Sequence, residues 1–132
     1  MIGRWTYALA ATALLIVTET ALAADDYAPG EKLTLLHCGR CHVISDRNKY
    51  GGIGSTPSFG ALRTLADWED RFQVFWTLNP HPAFTQVDGM TEPFPAHRPS
   101  PIHPVELTLD EIDQIIGYAR TIPPKDLGNE VR

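Results

Sequence analysis

Apolar positions along this chain repeat with a helical period in three segments and with the alternating period of a strand in none. From Pro29 to Cys41, a proline in the first turn followed by Leu33, Leu36 and Cys38 on neighbouring faces predicts a short helix. Asp67 precedes Trp68, Phe72, Phe75 and Trp76, spaced i, i+4, i+7 and i+8, which predicts a capped helix with one aromatic stripe that stops at Asn79-Pro80. Thr108 and Glu111 form a capping-box pattern ahead of Ile112, Ile115, Ile116 and Ala119, and Pro123-Pro124 ends that helix. Asp110, Glu111 and Asp113 lie in its first turns, where the helix dipole favours acidic groups.

The stretches between these helices read differently. Residues 43–61 hold Asp46, Asn48 and glycines at 51, 52 and 54 without apolar periodicity, so an irregular loop is expected. A loop of that length in a small domain implies that it wraps something. Prolines at 80, 82, 93, 95, 99, 101 and 104 exclude a regular helix there and predict an extended, stiff covering segment. Residues after Pro124 read as a frayed tail. The expected fold class is therefore all-α, with three to four helices and long loops.

Arg4, an apolar run from Ala8 to Val17 and the small-x-small triplet Ala21-Leu22-Ala23 predict a signal peptide over residues 1–23, cleaved after Ala23. The run falls short of the about 20 residues that span a bilayer, so no stable membrane insertion is expected after cleavage. Residues 24–132 suffice for one small domain. A formal charge of −5 argues against nucleic acid or anionic lipid as the main partner, and favours proteins with a basic or apolar docking face. No phosphate-binding glycine loop, internal repeat or Ser-His-Asp arrangement is evident.

The most specific chemistry is Cys38-Gly39-Arg40-Cys41-His42. Two thiols three residues apart share a helix face and can reach one porphyrin edge, while the adjacent imidazole turns onto the iron. A disulfide, or a zinc site completed by other histidines, are the competing uses of the same residues. Cys38 and Cys41 are the only cysteines of the chain, so if they bind haem no disulfide remains to staple the domain.

With these residues in place, the chain resembles the class I, mono-haem cytochromes c of bacterial periplasm. Gly30, eight residues before Cys38, matches the small residue at which the family's first helix crosses its last, and Tyr118 matches the aromatic on that last helix. Cys38 and Cys41 match the thioether cysteines and His42 the proximal ligand. Trp68 followed by Asn79-Pro80 matches a family helix, and Met90, ten residues after Pro80, matches the distal methionine. The usual Gly-Pro-x-Leu appears as Thr56-Pro57-Ser58-Phe59, and only Pro57 carries over, its carbonyl accepting from Nδ1 of His42.

The resemblance implies a small cytochrome c fold around one covalent haem c, with His42 and Met90 as iron ligands. Pro57, Trp68, Met90 and Trp76 join the two cysteines and His42 as cofactor-binding residues, the Trp68 indole donating to a haem propionate and Trp76 packing on the porphyrin. His81, His97 and His103 are the alternatives to Met90 as distal ligand. The implied function is electron transfer without a substrate, by a periplasmic monomer that serves a dehydrogenase, oxidase or reductase. Two other readings stay open: a cytochrome subunit fixed in a larger complex, and a haem protein whose open distal site binds a small ligand.

Overall fold

The computed structural model describes residues 28–128. The expected signal peptide and its cleavage site after Ala23 lie outside the described residues. Four α-helices are formed: α1 (Ala28–His37), α2 (Phe59–Leu62), α3 (Trp68–Gln73) and α4 (Leu109–Thr121). Short 3-10 turns cover Asp46–Asn48, Phe75–Thr77 and His81–Ala83. Among the described residues, no helix is long and apolar enough to cross a membrane.

The frame is the crossing of α1 with α4, and α3 packs on α4 as well. Gly30 and Thr34 are the buried residues of α1, and Thr34 turns its hydroxyl back to donate to the Gly30 carbonyl at 2.7 Å. With its one buried polar side chain satisfied internally, α1 can lie directly on α4. That helix buries Ile112, Ile115, Ile116, Tyr118 and Ala119, the face read from its periodicity with Tyr118 added.

The capping box forms as expected. Thr108 Oγ1 accepts from the Glu111 amide at 3.2 Å, and Glu111 Oε2 accepts from the Thr108 amide at 2.8 Å. Thr108→Ala should therefore cost about 0.5–2 kcal/mol. Chemical denaturation would show this as a lower midpoint at an unchanged slope.

The molecule is helix-rich but not all-α. Thr85–Val87 (β1) and Val105–Leu107 (β2) pair in parallel, Thr85 facing Val105, Gln86 facing Glu106 and Val87 facing Leu107. Their outer residues are buried while Glu106 is exposed, which is strand alternation. Three residues are too few for that alternation to stand out, and β1 lies inside the proline-bearing stretch that otherwise reads as covering loop. β1 and β2 bring Val87, Val105 and Leu107 onto Trp76, Ile112, Ile115 and Ile116. A second cluster joins Ile44, Phe59, Tyr118, Ala119 and Ile122, and Trp68 and Phe72 touch both.

Three local expectations shift. Helix α1 stops at His37, with Cys38–His42 continuing as a hydrogen-bonded turn in which the His42 amide donates to the Cys38 carbonyl at 2.9 Å. Asp67 does not cap α3; its carboxylate accepts instead from Arg71 Nε at 2.9 Å, one turn on. The segment after Pro124 is tied down where the Lys125 amide donates to the Gly60 carbonyl at 2.8 Å.

Candidate cofactor site

A cavity of about 770 Å³ opens between the Cys38–His42 turn, α2, α3, the segment after Asn79-Pro80 and α4. Its size falls in the range of small-molecule and cofactor sites, about 300–1,000 Å³. Cys38, Cys41 and His42 all line it. Most of the remaining wall is apolar or aromatic, including Phe59, Phe72, Phe75, Phe84, Ile112 and Ile115. Ile53, Leu65, Leu78 and Ile102 also line it and stay 37–52% exposed, so a large apolar surface here is left uncovered by the described residues.

The motif is held rigidly by a residue that its spacing does not announce. Asn48 donates through Nδ2 to the carbonyls of His42 (2.9 Å) and Gly39 (3.3 Å), while its Oδ1 accepts from the amides of Ile44 (2.8 Å) and Ser45 (3.2 Å). One side chain thus satisfies four backbone groups, one between the cysteines and three after them. The Ile53 amide closes the loop onto the Cys41 carbonyl at 2.9 Å. Gly52, at φ +77°, lies where a Cβ would come 3.0–3.2 Å from the Cys41, His42 and Val43 backbone. The loop read as wrapping something wraps the motif itself.

His42 Nδ1 lies 2.7 Å from the Pro57 carbonyl, the contact expected from Pro57. A carbonyl only accepts, so Nδ1 carries the proton and Nε2 keeps its lone pair. Burial holds this imidazole below the usual histidine range; the Pro57 carbonyl opposes that and the nearby His81 reinforces it. The ring is braced edge-on by Phe59, with centroids 5.7 Å apart. The two cysteines are free thiols, and burial, with Cys41 nearby, pushes Cys38 up to about 12.

His81 lines the same cavity with its ring parallel to that of His42, the planes 4° apart and the centroids separated by 6.2 Å. Its Nδ1 lies 2.9 Å from the Leu78 carbonyl, and Phe75 and Phe84 flank it at 5.2 and 5.8 Å. His97 and His103 are exposed and do not line the cavity.

Met90, Trp68 and Trp76, expected at the cofactor, do not line the cavity. Met90 is 55% exposed in the turn after β1, where its amide donates to the Val87 carbonyl at 2.9 Å. Pairing β1 with β2 draws this turn toward the far end of the sheet. Trp76 is buried in the core with Val87 and Val105. Trp68 sits beneath the Arg63 guanidinium, 4.0 Å from the ring centre, and packs on the core clusters. Arg71 does line the cavity and is a better-placed cation for a carboxylate there.

The cavity residues form neither of the two competing arrangements of these cysteines. The thiols are unpaired, and among the described residues no group of three or more histidine, cysteine or acidic side chains could hold a metal ion, so a protein-only zinc site is not formed. The buried Thr85 hydroxyl, which borders the cavity, has no hydrogen-bond partner among the described residues. Such a group costs about 1–3 kcal/mol unless something satisfies it. Comparisons with known proteins add no assignment: no family model, no curated protein and no solved structure matches the chain.

Proposed function

We propose that the chain carries one haem c, bound through Cys38 and Cys41 with His42 as proximal ligand, and acts as an exported one-electron carrier with a cytochrome c-like fold. The observation that supports this best is the meeting of both thiols and the free Nε2 of His42 on the wall of one large, mainly apolar cavity. When bound, the haem supplies an iron centre that gains and loses a single electron.

Each surrounding group has a defined task. The Pro57 carbonyl fixes the tautomer and ring plane of His42 and makes Nε2 a stronger donor. Asn48 locks the turn that spaces the two sulfurs. Phe59, Phe72 and Phe75 keep water from the site, and an apolar wall favours the less charged, reduced state. The net charge of −5, made more negative by propionates, suits a periplasmic redox partner with a basic or apolar docking face.

Purified after export with haem attachment active, the protein is expected to keep its haem on a denaturing gel and to show reversible oxidised and reduced spectra. Cys38→Ala and Cys41→Ala should each weaken haem staining, and the double substitution should abolish it. A wild-type chain that reaches the periplasm and runs without stain would falsify the haem reading.

A further inference from the structure

We infer that His81, not Met90, is the second axial ligand, so that the iron is held by two histidines with parallel rings. This inference rests on the haem reading above and concerns the same cavity. Two imidazoles that ligate one metal ion from opposite sides, with bonds of about 2 Å, place their ring centres roughly 6 Å apart. The centres of His42 and His81 are 6.2 Å apart.

Both rings are also prepared in the same way. Nδ1 of His42 is engaged by the Pro57 carbonyl and Nδ1 of His81 by the Leu78 carbonyl, which leaves Nε2 of each as its free donor. Metal-bound histidines usually have their other nitrogen fixed like this; exposed His103 also has Nδ1 at a carbonyl, that of Pro104 at 3.0 Å, but lies off the cavity. Phe75, nearly perpendicular to His81 at 89°, and Phe84 hold the second ring in place. Met90 has none of this: its side chain is exposed and its turn lies off the cavity. His37 does border the cavity, but it adjoins Cys38 at the end of α1, on the side that already carries the proximal histidine.

The consequence is electronic. Imidazole stabilises ferric iron better than a thioether does, so the potential falls below that of a His/Met centre. Parallel rings split the iron orbitals that π-bond to imidazole, so the oxidised protein should give a rhombic low-spin EPR signal and no sulfur-to-iron band at long wavelength.

The test compares Met90→Leu, His81→Ala and His81→Met as holoproteins, using haem stain, optical and EPR spectra, and redox titration. Met90→Leu is expected to leave spectra and potential at wild-type values. His81→Ala should keep its stain but turn high-spin and bind carbon monoxide when reduced, and added imidazole should restore the low-spin spectrum. His81→Met should gain the sulfur band and a higher potential. A stained His81→Ala protein that stays low-spin, or a wild-type sulfur band lost in Met90→Leu, would overturn the His81 assignment alone. Absence of stain in the wild type would overturn the haem reading, and this inference with it.

Discussion

Gly30→Val is expected to destabilise the protein more than any other single change on the α1–α4 crossing. A Cβ on Gly30 would overlap the Gln114 carbonyl oxygen, lie 2.9 Å from its carbon and come 3.1 Å from Tyr118 Cβ. These are mostly backbone atoms of a helix packed on the other side, so neither partner can rotate away. Replacing a helical glycine gains at most about 1 kcal/mol in propensity. Forcing atoms into a closely packed contact costs about 1–3 kcal/mol, and more where backbone must move. The net sign is therefore unfavourable, and the branched valine adds further crowding. Gly117, on α4, gives the opposite sign, because a Cβ there meets nothing within 4 Å. Gly117→Ala should stabilise by about 0.4–1 kcal/mol. Denaturation midpoints of the two variants should thus move in opposite directions, and equal downward shifts would show that this crossing is not the close contact described.

Phe59→Ala is expected to cost about 3–5 kcal/mol, since the ring is buried to 3% exposure and its removal leaves a cavity. Phe59 meets His42 at 5.7 Å and Phe72 at 5.0 Å, both edge-on, and packs with Ile44, Tyr118, Ala119 and Ile122. It therefore joins the cavity wall to the base of α4. Thermal unfolding should start more than about 10 °C lower than in the wild type. Phe59→Leu, which keeps most of the volume, should lose far less. A Phe59→Ala protein with unchanged midpoint would mean that the second core cluster does not hold the motif.

These two residues show which parts of the fold were legible before any coordinates. The capping box at Thr108 acts within one helical turn, so spacing exposes it, whereas the close approach at Gly30 was implied only by the resemblance to cytochromes c. The Pro57 contact with His42 was likewise implied by the resemblance, from the match of Thr56-Pro57-Ser58-Phe59 to the family pattern. Asn48 was not: its four hydrogen bonds exist only once the loop has curled back on the cysteines, and an asparagine among glycines reads as an ordinary turn. Nor were the strands, whose partners are separated by the whole covering segment and whose length leaves no period to detect. The placement of Met90 failed for the same reason. Its distance along the chain from Pro80 says nothing about a sheet that fixes Thr85–Val87 against Val105–Leu107 and carries the next turn aside. His81 was visible only as one of three histidines; what singles it out is a ring orientation, which no spacing encodes.

The crossing of α1 with α4 also sets an order of events. The helix leading into Cys38 is secured by Gln114 and Tyr118, more than 80 positions later in the chain. A chain made from its N-terminus presents the two thiols well before their support has been synthesised. Until α4 packs on α1, the turn that follows α1 lacks that brace. The contact that braces the first helix of the finished molecule is thus among the last to become available as the chain is made.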